Sequence, residues 1–336
     1  MDMLLGVMFG CLAGLFVGSS AWPVKLMKHY RYEQWSFVAM TVALLVVPWA
    51  LTLVFCKDVF GAYAEVGSAA LWKAVFFSLF WGVANILAMI CIAKIGVSLT
   101  FGILTGVGVC VGVTVPMIFK GSGQFSGAPG LFSTAGGLVM LGVAVMLVGV
   151  FFMAKAGLKR DGSTGASSRS GIIMCLIAGL LSVGFSFSFV YCQAPILEAM
   201  ARRGAGPFVG GFAVWAISLT GAGILNSGYF ALLMTKNRNW DVLFKHLPEA
   251  FLGTIFGVMF IAGFLFMGKG MLLLGALGAS VGFGLQQSSQ ILGSQIVGFL
   301  SGEWKQADST ALRLAYSAII LLILAAVIMA VGNSMV

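Results

Sequence analysis

The sequence predicts an all-α integral membrane protein with ten transmembrane helices in a 5+5 inverted repeat. Three observations lead there. Charge is scarce, apolar runs long enough to cross a bilayer recur along the whole chain, and one polar stretch divides those runs into two sets of five.

Of 336 residues, 60% are hydrophobic and 9% are charged. A soluble domain carries about 25% charged residues, so this chain cannot cover a water-facing surface and its natural solvent is lipid. The net charge of +9 does not denote nucleic acid as a partner. The basic residues stand singly or in small groups between apolar runs, as loop charges of a membrane protein do. Met1-Asp2-Met3 lacks a basic leader region, so the first apolar segment is expected to be a retained helix. The cysteines lie in or beside apolar runs without CxxC spacing and read as small apolar filler.

A spanning helix needs roughly 20 mostly apolar residues. Candidate spans fall at about 3–24, 35–56, 71–93, 97–119, 131–154, 171–194, 208–234, 250–268, 272–301 and 311–333. The stretch 155–170 is rich in Gly, Ser and charge and reads as a flexible linker. The expected units are a first repeat at 1–156, a cytoplasmic linker at 157–170 and a second repeat at 171–336. Faint echoes link the halves: Ala13-Gly14-Leu15 with Gly18 against Ala178-Gly179-Leu180 with Gly184, and Ala144 to Gly149 against Ala326 to Gly332. An odd number of spans per half inverts the second, the plan of many secondary transporters with a site near the midplane.

Loop charge gives the orientation. Loops after the odd-numbered spans carry Lys25, Lys28, Arg31, Lys94, Lys155, Lys159, Arg160, Arg169, Lys236, Arg238, Lys245, Lys305 and Arg313; the opposite side carries Lys57, Lys73, Lys120, Arg202, Arg203 and Lys269. The positive-inside rule places the first set in the cytoplasm and both termini outside.

Glycines repeat at i, i+4 spacing, most continuously at Gly6, Gly10, Gly14 and Gly18. This spacing lets helix backbones approach, for static packing or for sliding, within a bundle or between protomers. Polar residues inside spans are costly and tend to face a cavity. The third span carries Trp81 and Asn85, the sixth Ser182, Ser186 and Tyr191, and the seventh Asn226. The ninth has Gln286, Gln287 and Gln290, with Gln286, Gln290 and Ser294 on one helical face. Isolated Ser and Thr commonly bond their own helix carbonyls, but a cluster of amides at mid-span needs partners. Neutral amides and aromatic rings suit an uncharged polyhydroxylated solute. Lys25, Glu198 and Glu303 lie near span ends, where interfacial solvation is the simpler reading; Glu33 begins the second span. No deep acid is evident. No catalytic constellation, metal-ligand cluster or phosphate loop is present, so neither an enzyme nor a cofactor is expected.

Trp22-Pro23-Val24-Lys25 followed by Glu33 and Trp35, then Pro48-Trp49-Ala50, Trp81-Gly82 with Asn85-Ile86, and Gly96-Val97-Ser98 with Gly102-Ile103 form an ordered set of motifs. Gly184-Phe185-Ser186-Phe187, Pro195 with Glu198-Ala199, Gly221 to Asn226, and Glu303-Trp304 continue it. Nearly end to end, this order resembles the L-rhamnose–proton symporter family of the drug/metabolite transporter superfamily. The resemblance implies a ten-helix inverted repeat in a bacterial inner (cytoplasmic) membrane, import of L-rhamnose or a related neutral monosaccharide, and H+ as coupling ion. Expected solute contacts are Trp81, Asn85, Tyr191, Asn226, Gln286, Gln287 and Gln290, with Lys25 and Glu198 in coupling or gating. The alternatives are a transporter or exporter of another small metabolite and a non-transporting membrane protein.

Overall fold

In lipid a chain segment must pair its own backbone N–H and C=O groups, which favours helices over exposed strands. The computed structural model describes residues 2–118, 132–160, 166–274 and 283–334, and these are helical with no strand among them. The helices are α1 (Asp2–Ser19), α2 (Tyr32–Thr41), α3 (Val47–Phe55), α4 (Val59–Val66), α5 (Ser68–Ile95), α6 (Val97–Ile118) and α7 (Thr134–Arg160). They continue with α8 (Ala166–Leu181), α9 (Val183–Arg202), α10 (Pro207–Asn237), α11 (Trp240–Lys245), α12 (Leu247–Leu274), α13 (Phe283–Leu300) and α14 (Ser309–Ser334). Among the described residues, six segments are long and apolar enough to cross a membrane: Leu4–Leu26, Tyr32–Phe55, Ser68–Ile95, Thr134–Arg160, Pro207–Asn237 and Leu247–Gly270. The protein is therefore a multi-pass membrane protein.

Local sequence explains the departures from regular helix. A π turn at Val42–Val46 joins α2 to α3, with the Val47 N–H reaching back to the Val42 carbonyl. Pro48 follows directly. Its missing N–H and its ring disfavour ordinary i→i−4 pairing at that turn, and the backbone widens instead. The expected span 171–194 is two helices, α8 and α9, meeting at Ser182. The expected linker at 155–170 is largely helical, since α7 runs to Arg160 and α8 starts at Ala166; residues 161–165 lie outside the described residues.

Glycine decides how the helices meet. A Cβ at Gly14 would strike the Gln286 carbonyl oxygen, and one at Gly18 that of Gln290, so α1 and α13 touch backbone to backbone. On the other flank of α1, Gly263 of α12 lies against Ala13 and Val17, and Gly270 lies against Gly6 and Gly10. The stripe read from the sequence is thus a close contact within the chain. α7 and α14 pack along their lengths through Gly149 against Leu321 and Leu322, and Gly332 against Ala135 and Val139. Lipid-side positions such as Trp72, Leu232 and Leu300 are exposed, whereas Met40, Phe230 and Phe256 are fully buried.

Candidate functional site

A cavity of ≈ 80 Å³ open to water centres lies between α1, α5, α6, α12, α13 and the α8–α9 junction. One water needs about 10–15 Å³ on this measure, so the space exceeds that of a single trapped water. Trp81, Phe185 and Phe264 form its aromatic wall. The Trp81 ring lies 4.9 Å from Phe185 and stands edge-on to Phe264 at 5.8 Å. The break at Ser182 turns Phe185 toward this space while the Ser182 hydroxyl donates to the Gly179 carbonyl at 2.6 Å.

The polar wall is an amide chain. Gln286 Nε2 donates to Gln290 Oε1 at 2.8 Å, and Gln290 Nε2 donates to Thr105 Oγ1 at 2.9 Å. The backbone contact of Gly14 and Gly18 with this turn of α13 sets its position. Asn85 faces the chain from α5; it is 6% exposed and its Nδ2 has no hydrogen-bond partner. A buried donor left unmade costs about 1–3 kcal/mol, so the site is poised for a ligand acceptor. The lining holds no Asp, Glu, Lys, Arg or His among the described residues. A charged solute would meet no countercharge there, and a neutral one needs none.

Five sequence candidates thus meet at one cavity: Trp81, Asn85, Gln286, Gln287 and Gln290. Tyr191 lies apart, stacked on Phe77 at 5.4 Å with the Lys73 ammonium over its ring. Asn226 clamps two helices, its Nδ2 donating to the Gly82 carbonyl at 3.0 Å and the Ala222 carbonyl at 2.8 Å. Ser294 bonds the Ile291 carbonyl of its own helix. The side chains of Ser98, Thr114 and Ser186 lie outside the described residues.

Lys25 and Glu303 correct the simple reading of solvated span ends. Lys25 Nζ pairs with Glu303 Oε1 at 2.8 Å, and the Glu303 side chain is only 7% exposed. Glu303 also accepts from the Val97 N–H at 2.9 Å and faces Arg160 at 3.7 Å. The latch joins the ends of α1, α7 and α13 to the α5–α6 corner. That corner needs Gly96, whose φ is +84° and whose missing Cβ leaves room for the carboxylate. Glu198 is exposed and pairs with Arg202 at 2.8 Å. Arg202 and Arg203 both grip Glu65, at 2.6 Å each, and Arg203 also reaches Asp58 at 2.9 Å. Hydrogen bonds from Arg203 and then Arg202 hold the Glu65 carboxyl below its ordinary value.

A second cavity of ≈ 30 Å³ lies beyond Phe189 and Trp215. Trp215 stacks on Phe189 at 4.6 Å and on Phe185 at 5.8 Å, so its indole separates the two spaces. Sequence reasoning missed Phe185 and Phe264, because a cavity-lining phenylalanine reads like a lipid-facing one.

Apolar helices around an amide-lined cavity without charged residues among those described fit a membrane transporter. The chain belongs to the L-rhamnose-proton symport protein (RhaT) family, whose description matches residues 2–335. It is similar to the L-rhamnose-proton symporter of Cronobacter sakazakii, with 26% identity over 323 residues and 92% of each chain covered. It is similar at 26% to that of Klebsiella pneumoniae strain 342 and at 25% to that of Escherichia coli, again with 92% of each chain covered.

Proposed function

We propose that the protein imports L-rhamnose or a closely related neutral monosaccharide together with a proton, by alternating access around the amide-lined cavity. One observation carries the reading: the unpartnered Nδ2 of Asn85 lines a neutral polar cavity that it shares with Trp81, one turn away on α5, and with Phe185 and Phe264. A 6-deoxyhexose presents hydroxyl oxygens and an apolar ring face with a methyl group. Its hydroxyls suit Asn85, Gln287 and the Gln286–Gln290 pair, and its apolar face suits Trp81 and Phe264. In this reading the Lys25–Glu303 latch closes the cytoplasmic end. Tyr191, Asn226 and Glu198 act away from the sugar, as packing, clamping and outer ion-pair residues.

The proposed architecture is ten passes in two inverted sets of five, at 1–156 and 171–336, with α2–α3 and α8–α9 each making one pass. The pattern of contacts supports it. The first pass meets the ninth through Gly14 and Gly18 and the eighth through Gly263; the sixth meets the fourth through Gly179 against Val107 and the third through Gly184 against Phe77. Exchanging the halves turns one set of contacts into the other. α7 with α14 and α2 with α10 are pairs that map onto themselves. Membership of the drug/metabolite transporter superfamily, a bacterial inner membrane and both termini outside complete the proposal, the orientation resting on loop charge.

The test is uptake of labelled neutral monosaccharides into proteoliposomes, with and without a pH gradient. L-rhamnose uptake that the gradient stimulates and that Asn85→Leu abolishes is expected. Transport of a different solute class with no sugar uptake would sink the reading.

A further inference from the structure

We propose that Glu33 is the residue that binds the transported proton, an inference that rests on the proton-symport reading above. Glu33 lies in the first turn of α2 and is 1% exposed. Its Oε1 accepts from Asn239 Nδ2 at 2.8 Å and from Asn237 Nδ2 at 3.2 Å. Its Oε2 is buried and has no hydrogen-bond partner. Two further bare oxygens lie on residues of the same cluster: Asn239 Oδ1, on the amide that grips Glu33, and Ser36 Oγ, one turn further along α2. Buried polar atoms without partners are rare. Here an ionised carboxylate and an amide oxygen would both be acceptors short of a donor. A proton on Oε2 removes the buried charge and turns that oxygen into a donor. No other bond forms or breaks.

No neighbouring cation takes the proton's place. Among the described residues Glu33 forms no ion pair. Arg31, which precedes α2, is exposed, as are Lys236 and Arg238 at the end of α10 and Lys94 of α5. Lys245 of α11 is paired with Asp241. From α12, the Glu249 carboxylate is held by the N–H groups of Lys28, His29 and Tyr30 and by the His29 ring, against which His246 stacks. The phenol of Tyr32 also interacts electrostatically with Glu33, and with the Tyr229 phenol on its other side.

Coupling requires a physical link between the two sites, and α10 supplies it, reaching the cavity through its neighbour α5. Asn237 and the adjoining Asn239 hold Glu33, Ser227 bonds Thr41 of α2 at 2.7 Å, and Asn226 grips the carbonyl of Gly82, next to the cavity residue Trp81. Protonation weakens Glu33 as an acceptor for the two asparagines and so changes the hold of α2 on α10.

Glu33→Gln keeps the shape and removes the proton site. In proteoliposomes it is expected to retain exchange of labelled for unlabelled sugar and to lose accumulation driven by the pH gradient. Accumulation by E33Q as strong as wild type overturns the inference. If E33Q loses exchange as well, carbodiimide labelling of the wild type decides. An adduct at Glu33 that forms at low pH supports the assignment, and its absence overturns it. A wild type that shows no gradient-driven sugar uptake would instead defeat the symport reading itself.

Discussion

Gln290 donates its side-chain amide to Thr105 Oγ1 at 2.9 Å, tying α13 to α6 across one wall of the cavity. The same amide accepts from Gln286, so one residue orients a donor on one side and an acceptor on the other. Replacing Gln290 by Ala is expected to raise the KM for sugar about three- to tenfold, the equivalent of about one hydrogen bond at 0.5–1.5 kcal/mol. Thr105→Val, which removes a positioning bond only, should act in the same direction and more weakly. Initial-rate uptake measurements check both, and equal effects of the two variants would contradict this hierarchy.

Gly18 faces the Gln290 carbonyl with no room for a side-chain carbon. Gly18→Leu should force α1 and α13 apart and lower thermal stability in detergent by about 1–3 kcal/mol, the usual range for overpacking. Gly228 has open space around it, so Gly228→Ala is the control that should leave both stability and uptake unchanged.

Six membrane passes were legible in the sequence because bilayer thickness demands long apolar runs whatever their identity. So were the neutral amides, since Gln286, Gln287 and Gln290 are conspicuous inside an apolar helix. Other features depend on distant partners. The break at Ser182 has no proline to announce it, and it accompanies the packing of Gly184 on the Phe77 carbonyl. Phe76 is exposed and Phe264 is buried at the cavity, yet nothing around either distinguishes them in sequence. Glu303 looked like a loop residue until Lys25 and Arg160 closed over it. Glu33 was hidden in the same way, because the asparagines that hold it belong to the far end of α10.

The latch around Glu303 predicts an asymmetry between its partners. Lys25 is about a third exposed, at 35%, whereas Arg160 and Glu303 are 9% and 7% exposed. Lys25→Met leaves Glu303 its Arg160 and Val97 contacts and should lower stability by about 1 kcal/mol or less. Glu303→Gln leaves a buried arginine without its countercharge and should lower it by about 3 kcal/mol. Thermal unfolding of the two variants separates these outcomes.

The ion pairs at Glu65 predict a specific pH response. Arg203 and Arg202 hold the Glu65 carboxyl below its ordinary value of 4.5. A lowered folded-state value means that the group's stabilisation is complete above its unfolded value and is lost as pH falls through the folded one. The stability difference between wild type and Glu65→Gln should therefore be constant above about pH 5.5 and shrink below about pH 4. A difference that varies between neutral pH and about pH 6 would place the titration on another group.

Sugar and proton are expected to cross together through this fold. The most direct measurement is a pH electrode in a weakly buffered suspension of de-energised vesicles containing the protein. Adding L-rhamnose should make the external medium more alkaline as protons enter with the sugar, and a protonophore should abolish the signal. Sugar entry with no change in external pH would show that the protein moves sugar without a proton.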